Sequence, residues 1–259
     1  MMSRVPTCRA LVAAVALLAL WGVGAAVPAR ADEPRSLREA LFGQRPAESQ
    51  QRRSSLVGRF VSDDGKRFVF DRTGGQHALM RFERSQEIWV LTPSRGVRGD
   101  VIYRNDIGQP VLRFSRWGGA TLFTRERPEG VAVAFEADAP AFQPPRIGPE
   151  AAYEALVRAS ARASRAASRL IPFDGETVAG SDYLIADAAL VAAEAIVRLS
   201  VSAEGRAALG RVRAVRLREG PRADVTLDAR GQLNVTVATA QGLAGRPSSG
   251  RIAAVIVDR

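Results

Sequence analysis

Between residue 56 and about residue 137, apolar and polar positions alternate in short runs broken by Gly, Asn and Asp. This period of two is that of half-buried strands. GRFVS and KRFVFDR flank Asp63-Asp64-Gly65, which reads as a hairpin turn. HALMRFE and EIWVLTP follow, joined through Arg84-Ser85-Gln86. DVIYR and PVLRFSRW are joined by Asn105-Asp106-Ile107-Gly108-Gln109, a second hairpin-type connection. ATLFTR and VAVAFEA complete about eight strands. Such even spacing predicts an antiparallel meander, barrel-like or sandwich-like, over residues 56–139.

Pro140, Pro144, Pro145 and Pro149 mark a linker, and beyond them the period becomes helical. A helix over 150–170 sets Tyr153, Leu156, Val157, Ala167 and Leu170 around one side. Arg158, Arg162, Arg165 and Arg169 then form one stripe opposite. Ser181 is placed to cap a second helix running to about Leu199, apolar on most sides and therefore expected to be buried. A shorter helix is expected over about 203–212. AVRLRE, ADVTLDA and QLNVTVA read as strands again, the last two joined at Arg230-Gly231, and the final RIAAVIV fits helix or edge strand. The expected class is α+β: an N-terminal β meander, then a layer of two to three helices and a C-terminal β-hairpin region. Residues 149–259 are expected to pack with the β region as one unit.

The N-terminus changes the setting. Arg4 and Arg9 precede an apolar stretch ending at Pro28, and Ala29-Arg30-Ala31 supplies a small-residue cleavage site. Residues 1–31 read as a cleavable export signal, with an uncleaved anchor as the rival reading. Export implies a periplasmic or secreted protein. The single cysteine, Cys8, falls inside this segment, so the remaining chain lacks disulfides and thiolate sites. Residues 32–55 are polar and charged. Ser36 and Glu39 have capping-box spacing there, which fits a tether with one frayed helical turn or a helix that docks.

The formal charge is +10, and removal of Arg4, Arg9 and Arg30 takes away three to leave +7. Lys66 is the one lysine, so nearly every cation is an arginine. Arginine abundance fits either a GC-rich genome or selection for bidentate binding of phosphate and carboxylate. With one histidine, His77, neither H-E-x-x-H nor a multi-histidine metal site is possible. No nucleophile elbow accompanies His77, which reads as a turn residue. No catalytic residue, metal or cofactor is therefore expected. Asp63, Asp64, Asp71, Asp100 and Asp106 sit at strand ends or turns, where a glycan hydrolase could use two of them and hairpins need them anyway.

The arginines carry the strongest binding signal. Arg104, Arg113, Arg116, Arg125 and Arg127 lie among Tyr103, Phe114, Trp117 and Phe123 in neighbouring strands. Arginine beside aromatic rings suits anionic polymers or lipids, although alternation alone would also put rings inward and cations outward. The candidate binding residues are Arg158, Arg162, Arg165 and Arg169 on the helix, with Arg104, Arg113, Arg116 and Trp117 in the strands.

GDVIYRNDIGQPVLRF with TLFT, RASARASRAASRLI and AGRPSS, together with the export signal, resemble an uncharacterised family of exported alphaproteobacterial proteins. That family is known only as a domain of unknown function, and the resemblance covers about residues 56–249. It implies the compartment and brings no functional residue with it. The leading expectation is a non-catalytic periplasmic binding or scaffold protein for an anionic envelope polymer or lipid, or for an envelope protein. The alternatives are a carboxylate-based glycan hydrolase and a subunit of an envelope complex. Nucleic acid is not expected as a partner, nor is a transmembrane helix after signal removal.

Overall fold

The computed structural model describes residues 56–176 and 180–258, all of them in one compact unit. The expected export signal and the polar segment 32–55 lie outside the described residues.

Eight antiparallel strands follow one another around a closed barrel. They are β1 (Val57–Ser62), β2 (Arg67–Asp71), β3 (Ala78–Phe82), β4 (Trp89–Arg95), β5 (Val101–Arg104), β6 (Pro110–Phe114), β7 (Ala120–Leu122) and β8 (Val131–Asp138). Each pairs with the next, and β8 closes on β1 with a register shift between Arg59 and Phe60. The sequence left barrel and sandwich open; closure removes the exposed edges that a sandwich would keep. Alternation sends Phe60, Phe68, Phe70, Met80, Leu91, Leu112 and Leu122 inward. Phe60 stacks on Phe68 with centroids 5.6 Å apart, and Phe70 meets Tyr103 edge-on at 4.8 Å. Eight strands leave room for such side chains to fill the interior. Gly65, at φ +80°, makes the first hairpin turn where a side chain would be strained.

Beyond the barrel, Asp71 ties down the outgoing chain. Its carboxylate accepts the Thr73 amide and, at 2.8 Å, the Phe142 amide 71 residues later. Helix α1 (Pro149–Ala167) starts with proline at its first turn and stops at Ser168, which adopts φ 52°. Helix α2 (Asp182–Ser200) is buried on most sides, as its composition predicts. Helix α3 (Ala203–Leu209) is capped by the Ser202 side chain, and α4 (Ser249–Val257) by that of Ser248. RIAAVIV is thus helical, and the Pro247-Ser248-Ser249 segment before it is its capping signal.

Two expectations need correction. The C-terminal strands are more than a hairpin: β9 (Phe173–Gly175), β10 (Ala214–Glu219), β11 (Asp224–Leu227) and β12 (Gln232–Val237) form one sheet in the order β11-β12-β10-β9. β10 runs parallel to both β9 and β12, and only β11–β12 is the expected hairpin. The packing face of α1 is also different. Tyr153, Val157 and Leu170 are exposed, whereas Ala152, Ala155, Leu156, Ala159 and Ala163 are buried. Small residues at helical spacing let α1 lie close against α2, so the alanines and Leu156 form the seam, and Tyr153 and Val157 are left outside.

Candidate functional site

In a meander, successive connections alternate between the two rims of the barrel. The β4–β5 and β6–β7 connections therefore share one rim. Arg113 on β6 pairs with Asp100 across 3.6 Å, and Asp100 also accepts the Arg116 amide at 3.2 Å. These contacts hold the two connections together. The Arg116 guanidinium lies 5.8 Å from the centre of the Trp117 ring, which is 83% exposed. Val97, on the neighbouring connection, is also highly exposed. An indole and an isopropyl group in water cost free energy, which makes this rim a candidate contact surface. Arg104 stands at the opposite end of β5, where it donates to the Gly108 carbonyl at 2.9 Å and serves its own turn.

The four helical arginines divide into pairs. Arg158 bonds Glu154 one turn back, at 3.2 Å, and Arg165 is exposed. Arg162 reaches Glu194 on α2, so it joins the two helices. Arg169 lies beyond the end of α1 and donates to the Leu209 carbonyl at 2.6 Å and to that of Val212. It thereby ties the end of α1 to the turn that follows α3, where the Leu209 carbonyl also accepts the Val212 amide at 2.9 Å. No hydrogen bond or ion pair among the described residues joins this helical set to the rim set.

Of the acidic turn residues, Asp64, Asp71, Asp100 and Asp106 serve structural contacts, and Asp63 is exposed. Asp64 is held by the Ser62 hydroxyl and by Lys66 at 3.2 Å. The Ser62 hydrogen bond, and then Lys66, keep its carboxyl below the ordinary carboxylate value despite partial desolvation. Asp100 serves the rim contacts, and Asp106 accepts the Ser248 amide at 2.8 Å and its hydroxyl. His77 lies 3.3 Å from the Thr92 hydroxyl through Nδ1. Among the described residues, no three His, Cys, Asp or Glu side chains are grouped closely enough to hold a metal ion. None of the described helices is long and apolar enough to cross a membrane.

Sequence reasoning missed a buried polar junction between the barrel and the helical layer. Glu87, on the β3–β4 connection and only 6% exposed, accepts the Ser249 amide at 2.9 Å and its hydroxyl at 2.6 Å. Arg198 on α2 donates to the same hydroxyl at 2.7 Å. Arg246 is buried, pairs with Asp187 of α2 and donates to the Ile88 carbonyl of the barrel at 2.8 Å. Burial pushes the Glu87 carboxyl above its ordinary value, and the Ser249 hydrogen bonds followed by Arg246 and Arg198 oppose the rise. The segments NDIGQP and AGRPSS, which carried the family resemblance, meet here through Asp106 and Ser248.

Comparison with curated proteins and with solved structures gave no match. A family model described as a domain of unknown function (DUF4908) matches residues 36–256. That span takes in every element of the barrel and almost all of α4, and the chain belongs to this family.

Proposed function

We propose that the protein is a non-catalytic, exported envelope protein that docks on an anionic lipid surface through the β4–β5/β6–β7 rim of its barrel. The observation that supports this reading is the exposed Trp117 ring with the Arg116 guanidinium over it, on the same rim as exposed Val97. An indole suits the boundary between headgroups and acyl chains, and an adjacent guanidinium suits the lipid phosphate. The one carboxylate between these connections, Asp100, is engaged by Arg113 and by the Arg116 amide, so little negative charge opposes an anionic surface. The export signal and the net positive charge of the chain agree with an envelope location.

The test is cosedimentation of the protein with phosphatidylglycerol vesicles, phosphatidylcholine vesicles and isolated cell-wall sacculi over a salt series. Selective binding to phosphatidylglycerol that weakens with salt is expected. Arg116→Gln should lower that binding about fivefold, the equivalent of about 1 kcal/mol for one arginine near a charged membrane. Trp117→Ser should lower it further. Binding to none of the three, or undiminished binding by the Arg116→Gln/Trp117→Ser double variant, would overturn the reading.

A further inference from the structure

On the opposite rim, a cleft of about 490 Å³ separates the barrel from α2 and α4. Its size falls in the range of small-molecule sites. Val111 and Phe123 line it from the barrel, and Leu199, Ala253 and Ala254 from the helices. Two cations border it from opposite sides: Arg125 on the β7–β8 connection and Arg198 near the end of α2. Both are exposed, and neither forms an ion pair among the described residues. By contrast, Arg162, Arg246 and Arg251 nearby in the fold are all matched to carboxylates.

We propose that this cleft binds one single-chain amphiphilic anion, with its carboxylate or phosphate between Arg125 and Arg198 and its apolar body against Val111, Phe123, Leu199 and Ala254. The inference is independent of the membrane-docking rim, which shares no residue with it. The apolar lining accepts a hydrocarbon body without hydrogen-bonding demands, and two guanidinia with no carboxylate partner among the described residues supply charge-assisted donors for the head. Arg198 is held in place because its Nη1 bonds the Ser249 hydroxyl, which leaves its other donors for a ligand. The one acid lining the cleft is Glu87. Both its oxygens accept from Ser249, and the carboxyl is buried among Ser249, Arg246 and Arg198, so it opposes an anion weakly.

The experiment is calorimetric titration of the protein with decanoate, decyl phosphate and decanol below their micelle concentrations. One-to-one binding of at least one of the two anions is expected, and which of them binds tighter distinguishes a fatty-acid head from a phosphate head. Decanol should bind about tenfold more weakly, matching the loss of a charge-assisted hydrogen bond. The double variant Arg125→Gln/Arg198→Gln should lose about tenfold for the anion and keep its affinity for decanol. Glutamine at 198 keeps a donor for the Ser249 hydroxyl and Arg125 is exposed, so the fold is expected to be retained, which thermal melting checks. Ala254→Trp should block all three probes, whereas Trp117→Ser should alter none. Absence of binding by both anions, decanol binding as tightly as they do, or an unaffected double variant or Ala254→Trp variant would overturn the inference.

Discussion

Glu87 concentrates several demands on one side chain. Leaving a carboxyl at 6% exposure costs free energy unless its oxygens are satisfied, and Ser249 satisfies both of them. Because burial raises its pKa above the ordinary 4.5, the folded protein holds this proton more tightly than the unfolded chain does. The resulting stabilisation is fully present below about pH 4.5 and is lost as pH rises through the elevated folded value. Glu87→Gln removes the ionisation and keeps a carbonyl acceptor for Ser249. As pH rises from about 4.5 through the raised folded value, the stability of wild type relative to E87Q should therefore fall, read as the difference in urea midpoints. The lowered carboxyls of Asp64 and Glu126 act with the opposite sign but are common to both proteins, so they cancel in the comparison. A difference independent of pH would show that Glu87 stays ionised.

Among the elements, α1 shows how similar residues take unlike roles. Its arginines recur at helical spacing and look equivalent, but each meets a different environment. Arg158 has only an exposed partner one turn away, an arrangement worth little because water screens it and side-chain entropy opposes it. Arg158→Gln should change stability by less than about 0.5 kcal/mol. Arg169 donates to the Leu209 carbonyl at the end of α3 and to the Val212 carbonyl just beyond it, and Arg169→Gln leaves both without that cation, at a cost of about 1.5–3 kcal/mol. Denaturant midpoints of the two variants should differ accordingly. Equal effects would mean that the stripe acts as one solvated face. The small-residue face of the same helix is equally specific. Ala159 and Ala163 are fully buried, so the alanines that look featureless in sequence are the ones that bring α1 onto α2.

At the scale of the whole molecule, Arg246 links three parts: the segment before α4, helix α2 through Asp187, and the barrel through the Ile88 carbonyl. A buried pair of this kind is costly to break from one side, because the remaining charge has no solvent and no partner. Arg246→Met should cost about 3–5 kcal/mol in urea denaturation. Adding Asp187→Leu should restore much of that loss, since an apolar pair of similar size tolerates burial. Failure of the second substitution to restore stability would place the cost in the Ile88 contact instead. The same junction lies beside the cleft that carries Arg198, so the polar ties that hold the barrel to the helical layer also shape its walls.

Local pattern was enough for most of the elements. Period two along 56–137 marked all eight barrel strands, and the Asp-Gly and Asn-Asp turns marked two of their connections, because alternation and turn chemistry act over a few residues. The buried α2 was legible for the same reason. β9 was not, since three residues carry no period, and its parallel pairing with β10 comes from the intervening helices rather than from its own sequence. Nor could the sequence assign the arginines. Which guanidinium meets a carboxylate, a carbonyl or open water depends on neighbours brought from elsewhere in the chain. Glu87 and Ser249 are 162 positions apart, and nothing within either segment signals the other. The residues alone determined the strands other than β9, the buried helix, the hairpin turns at Asp63-Asp64-Gly65, Asn105–Gln109 and Arg230-Gly231, and the excess of positive charge. Barrel closure, the alanine seam, the buried junction and the two exposed arginine sites were decided by tertiary packing, which alone sets what surrounds a charge and whether water reaches it.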